Sequence, residues 1–114
     1  GESRSLARLT MLYEQQITSR RVKRIANLIC AFAYVLQEHL GSRCKQDFSH
    51  LISREDKLSL DKVGNRPLCI TNKLGREIRE IRDQSTGDEI DFSSRERLAM
   101  LKHVNEMCNT ISSC

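Results

Sequence analysis

Tryptophan is absent, five aromatic residues (two Tyr, three Phe) occur in all, and proline occurs once, at Pro67. So few rings, none interleaved with the basic residues, leave no stacking platform for bases, and nucleic-acid binding is not expected. With one proline and five glycines, little interrupts long helices. No apolar run approaches the roughly 18 residues that a spanning helix needs. The longest, from Leu28 to Leu36, is nine residues and suits a buried core helix, so this polypeptide alone is not expected to form a transmembrane pore. Catalytic signatures are missing too: there is no G-x-S-x-G, no phosphate-binding glycine loop and no H-E-x-x-H, and an enzyme is not expected. Gly64-Asn65-Arg66-Pro67 lacks the glycine repeats and the Lys-Ser/Thr ending of a nucleotide loop.

The five cysteines, at 30, 44, 69, 108 and 114, are odd in number, and no pair has C-x-x-C spacing. Free thiols in a reducing compartment are the expectation. Cys30 and Cys108 fall on apolar helix faces, where cysteine acts as a small hydrophobe. His39, His50 and His103 are far apart, which argues against a zinc site. Asp88, Glu89 and Asp91 form a small acidic cluster without the spacing of a calcium loop. No metal and no cofactor is expected.

What the chain does have is 114 residues, 39% apolar and 30% charged, with a net charge of +4 and a pI near 9.0. That length suits one domain with one modest core. Part of the positive excess is local: Arg20, Arg21, Lys23 and Arg24 sit almost together. Such a cluster can contact small anions, phosphates or lipid headgroups, or can simply be the solvated face of a helix.

Hydrophobic spacing predicts an all-α fold of four to five helices packed antiparallel around one core. A first helix is read from Leu6 to Gln16, with Leu6, Leu9, Tyr13 and Gln16 on one side and Met11 and Leu12 adjoining. Thr18 or Ser19 can cap a second helix, or the first can run on into it. In the second, Val22, Ile25, Ala26, Ile29, Phe32, Ala33, Leu36 and Leu40 draw a stripe that Leu28 and Val35 widen, so cover on more than one side is expected. Gly41 is the natural stop, and His39, near that end, suits capping better than catalysis. Phe48, Leu51 and Ile52 group together, and Ser53-Arg-Glu-Asp56 has capping-box form. Pro67 opens a helix buried through Ile70, Thr71, Leu74, Ile78 and Ile81, with Arg76, Glu77, Arg79, Glu80 and Arg82 as its solvated face. Residues 83–91 read as a loop. Ser93 with Glu96 starts a last helix striped by Leu98, Leu101, Val104, Cys108 and Ile111. The absence of a stop signal before Cys114, and of a methionine at position 1, leads to the expectation that both ends are cut from something longer.

Three blocks resemble one family. Arg20-Arg21-Val22-Lys23-Arg24-Ile25 through Ala31-Phe32-Ala33 to His39-Leu40 resembles the extramembrane helix that follows the second membrane helix of bestrophins, with its basic start and Ala-Phe-Ala-like centre. Asn65-Arg66-Pro67-Leu68-Cys69-Ile70 is similar to the turn opening that family's next long helix, in its plant-like form. Asn105-Glu106-Met107-Cys108-Asn109-Thr110-Ile111 through Cys114 resembles the end of the helix leading into the third membrane segment. The blocks stand in the family's order over about Leu6 to Cys114.

The resemblance implies a bestrophin-type anion channel of the plant, algal and bacterial-like branch. This chain would be its extramembrane helical segment between the second and third membrane helices, part of a larger helical membrane protein. It further implies a homopentamer conducting chloride and sometimes bicarbonate, in thylakoid or plasma membrane, with these helices on the cytosolic or stromal side. The family's pore neck, lower aperture and calcium clasp have no matching residues in this chain. Arg20, Arg21, Lys23 and Arg24 are the candidate contacts for anions or lipid headgroups. The alternative is a stand-alone soluble helical module that binds a partner through this basic patch.

Overall fold

Thr18 settles whether the first two helices are one. Its backbone is extended, with ψ at 149°, and its side chain accepts the Arg21 N–H at the start of the next helix. An extended residue cannot lie inside a helix, so the chain turns there. The computed structural model describes residues 1–41, 46–85 and 91–112. These form α1 (Glu2–Leu12), α2 (Ser19–His39), α3 (Arg54–Asp61), α4 (Arg66–Arg79) and α5 (Ser94–Ser112), with a short 3-10 turn at Ser49–Leu51. Among the described residues the only extended pairing is an isolated antiparallel bridge between Gln84 and Phe92.

The caps are those the sequence implies. Asn65 Oδ1 accepts the Leu68 N–H at 3.1 Å, and Pro67 sits in the first turn of α4, where its missing N–H costs no intrahelical bond. Ser53 and Asp56 form a reciprocal capping box at α3. At α5, Glu96 accepts from the Ser93 N–H at 2.9 Å and from its hydroxyl at 2.8 Å. Gly41 follows α2 with φ at +88°, a left-handed conformation that costs an L-residue roughly 1–2 kcal/mol. Nothing lies within 4 Å of a Cβ added there. Gly41→Ala should therefore lower stability by about 1 kcal/mol through backbone strain alone, read as a shift of the urea midpoint without a change of slope.

Helices α1, α2, α4 and α5 close a four-membered bundle in which α1 adjoins α2 and α5, and α4 adjoins the same two. The neighbours run antiparallel. His103 of α5 meets Glu2 at the start of α1, while Phe92, just before α5, meets Tyr13 at its end. Arg21 and Glu38, near the two ends of α2, pair with Glu77 and Arg66, near the opposite ends of α4. Thr71 of α4 accepts from Cys108 Sγ of α5 at 3.3 Å. Helix α3 lies outside, against α4. The core includes Leu6, Ile17, Ile25, Leu28, Phe32, Val35, Ile70, Leu74, Ile78, Met100 and Met107, with Leu60 of α3 and Phe48 and Phe92 of the connections closing it. The buried hydroxyls of Thr10 and Thr71 donate to the carbonyls of Leu6 and Leu68, each at 2.8 Å, so neither goes unpaired.

Several expected faces are rotated. On α1 Leu6, Leu9, Tyr13 and Gln16 turn inward as expected, but Met11 and Leu12 are exposed. The helix ends at Leu12, and Tyr13 to Gln16 form a turn whose Tyr13 carbonyl accepts the Ile17 N–H at 2.8 Å. On α2 the residues that widened the stripe, Leu28 and Val35, are its buried centre, while Ala26, Cys30, Ala33 and Leu40 are exposed. Burying a methyl returns little transfer free energy, so the larger side chains decide which way the helix faces. Cys30 is therefore not a core hydrophobe. On α5 the buried positions are Met100, Val104, Met107 and Ile111, and Leu98 is 65% exposed. The residues expected on the buried face of α4, Ile70, Thr71, Leu74, Ile78 and Ile81, are all buried, but the helix ends at Arg79 and Ile81 lies just past it. Cys44, Gly87, Asp88, Glu89 and Cys114 lie outside the described residues. Cys30, Cys69 and Cys108 are free thiols.

Candidate functional site

The start of α2 carries the basic cluster, and the bundle splits it in two. A helix turns 100° per residue, so Arg21 and Arg24, three apart, share a face, and that face meets α4. Arg21 Nη1 donates to Glu77 Oε1 at 2.9 Å and to the Glu77 carbonyl at 3.0 Å, with Glu80 at 3.7 Å. Arg24 grips both carboxylate oxygens of Asp56 and lies 3.5 Å from Glu77 through Nε. Arg20 and Lys23 are exposed, and neither has an ion pair among the described residues. A shallow cleft of about 310 Å³ lies here, lined by Thr18, Arg20, Arg21, Arg24, Glu77 and Glu80.

Asp56 is the centre of this network. It is 2% exposed. It accepts from Arg24 twice, from the Ser53 N–H at 3.0 Å and from Lys73 Nζ, 3.2 Å away. Burial alone would push its carboxyl up. The Arg24 guanidinium, the Ser53 N–H and Lys73 outweigh that and hold it well below the usual carboxylate range. The same hydrogen bond to Asp56 raises Arg24. One carboxylate thus ties α2, α3 and α4 together, since Arg24, Asp56 and Lys73 come one from each.

Glu77, Asp56 and Lys73 were not legible as partners of the basic cluster. Glu77 reads as a member of a solvated charged face, and Asp56 as a capping acid. The available signal was the pair of arginines three apart at the N-terminal end of an apolar helix, where cations oppose the helix dipole and need a carboxylate from elsewhere. His39 is the last residue of α2 and is exposed. Asp91 is exposed, and its two acidic companions lie outside the described residues. Among the described residues no group of three His, Cys, Asp or Glu side chains is placed to hold a metal.

Chemically, the arrangement orders charge. Its carboxylates are engaged by guanidinium and ammonium groups, and it presents two exposed cations at one end of a long helix. This is a helical scaffold with a basic rim. The family model described as Bacterial/Fungal Bestrophin protein matches residues 1–114. The chain belongs to the bestrophin family, whose members are anion channels that assemble as oligomers in membranes. No curated protein matches it. Among the described residues no helix is long and apolar enough to cross a membrane.

Proposed function

We propose that this chain is the extramembrane helical module of a bestrophin-like channel for chloride or bicarbonate, joining the second membrane helix to the third. It supplies vestibule wall and subunit contacts in a pentamer. The observation that carries the reading is the family match over residues 1–114 to a bundle in which Arg20 and Lys23 stay exposed while Arg21 and Arg24 are engaged with Glu77 and Asp56. Within that reading, Arg21 and Arg24 hold the bundle together, and Arg20 and Lys23 act on anions. Two uncompensated cations beside a water-filled passage raise the local anion concentration.

The test is bilayer recording of the full-length channel carrying Arg20→Gln and Lys23→Gln. Anion conductance should fall roughly two-fold or more at about 0.01 M salt, where the Debye length is about 30 Å, and should approach that of the unaltered channel near 1 M, where it is about 3 Å. Conductance unchanged at every ionic strength would remove these residues from the permeation path. A full-length protein that carries no anion current would overturn the reading as a whole.

A further inference from the structure

One side of the bundle has an exposed surface that the network at α2 leaves untouched. On α1, Arg4, Arg8, Met11 and Leu12 recur at intervals of four, three and one, and all are exposed, Met11 at 53% and Leu12 at 55%. On α5, Arg95, Leu98, Ala99 and Lys102 recur at three, one and three, and all are exposed, Leu98 at 65%. These spacings put each set on one helix face. The two helices lie side by side and antiparallel, with Glu2 against His103 and Tyr13 against Phe92. That register puts Arg4 level with the turn of Lys102, Arg8 level with the turn of Leu98, and Leu12 within a turn of Arg95. Both faces point away from the core residues Leu6, Met100 and Met107, so they adjoin on the outside.

Positive charge prevails on this side. Arg4, Arg8, Arg95 and Lys102 make no ion pair among the described residues. Of the nearby acids, Glu2 is held by His103 at 2.6 Å and Glu96 by Ser93. Glu106, one turn on from Lys102, is half-buried, and Glu14 and Asp91 lie beyond the ends of the two faces. Cations interspersed with half-exposed Leu and Met side chains are what a helix lying on an anionic bilayer presents: lipid phosphates take the charge and the headgroup region takes the apolar tips. A second copy of this chain fits less well. Two copies meeting through this same face would set its four unpaired cations against four more.

We infer that the α1–α5 side of the bundle docks on the anionic surface of a lipid bilayer, through Arg4, Arg8, Arg95 and Lys102 with Leu12 and Leu98 between them. This rests on the reading of the chain as part of a membrane channel, and it assigns that part a second membrane contact besides its flanking segments.

Co-sedimentation of the 114-residue chain with vesicles tests it, using phosphatidylcholine alone and phosphatidylcholine with about a quarter phosphatidylglycerol. The chain should bind the anionic vesicles and not the neutral ones. Arg4→Gln, Arg8→Gln, Arg95→Gln and Lys102→Gln together should weaken binding about 100-fold. Leu98→Ser, at an exposed position that cannot disturb the core, should weaken it several-fold with helical circular dichroism unchanged. Three results would overturn the inference: equal binding to both vesicles, no binding by a chain of full helical content, or binding lost with Arg20→Gln and Lys23→Gln but kept by the four-residue variant. Failure here alongside the expected salt-dependent conductance change at Arg20 and Lys23 would sink the docking surface and leave the channel reading standing.

Discussion

Replacing Asp56 with alanine should cost about 3 kcal/mol of stability and lower the melting temperature by roughly 10 °C. The carboxylate is 2% exposed and is shared by Arg24, Lys73 and the Ser53 N–H. Removing it leaves two partly buried cations facing each other, together with a Ser53 N–H that has lost its acceptor at the start of α3. Glu77, 3.5 Å from Arg24 Nε, offsets part of the loss, which keeps the figure at the lower end for a broken buried pair. The pH dependence follows from the direction of the shift. Asp56 is held below its ordinary value in the folded state, so the unfolded chain binds the extra proton first. The stabilisation is complete above the unfolded pKa of about 4 and is lost as pH falls below it toward the folded value. Urea titrations from pH 7 down to pH 3 should show unaltered protein losing stability below about pH 4, and Asp56→Ala losing distinctly less over the same interval. Parallel acid limbs in the two proteins would mean that Asp56 does not hold the network together.

The contrast between α4 and α2 shows what the sequence can and cannot reveal. On α4 the buried face was legible residue by residue because large aliphatic side chains, Ile70, Leu74 and Ile78, mark it. On α2 apolar residues occur nearly all round the helix, so spacing alone does not say which arc is covered. Side-chain size decides, and Ala26 and Ala33 turn outward. The caps at Ser53, Asn65 and Ser93 were readable because a cap is a local device, built within four residues. The ion network was not. Arg24 and Asp56 are 32 positions apart, and Arg21 and Glu77 are 56 apart. Nothing in either neighbourhood names the other, and only the antiparallel packing of α2 on α4 brings them together. The basic cluster was therefore visible as a cluster, while its division into two engaged arginines and two exposed cations was not.

Phe92→Ala should be the most damaging single truncation outside the helices, at about 3–5 kcal/mol. The ring is 1% exposed. It meets Tyr13 edge-on at 5.5 Å, and the Arg97 guanidinium lies 5.4 Å over its face. Its backbone exchanges both hydrogen bonds with Gln84, at 2.7 and 2.8 Å. Phe92 stands just before the Ser93 cap and packs against the residue four places beyond it, which is the geometry of a hydrophobic staple with an arginine as the second half. Arg97 in turn donates to the Ile81 carbonyl and to Asp83 at 2.6 Å. The ring thereby joins the end of α1, the connection after α4 and the first turn of α5. Its signal in the sequence is the apolar residue immediately before a capping serine, inside a stretch otherwise polar enough to read as loop. If the staple reading is right, Phe92→Leu should recover more than half of the stability lost in Phe92→Ala, because burial is the larger part. Arg97→Gln should cost about 1 kcal/mol and should lose much of that effect in the Phe92→Ala background, a coupling that a double-mutant cycle measures directly. Additive effects of the two substitutions would separate the arginine from the ring and leave Phe92 as a plug in the end of the bundle.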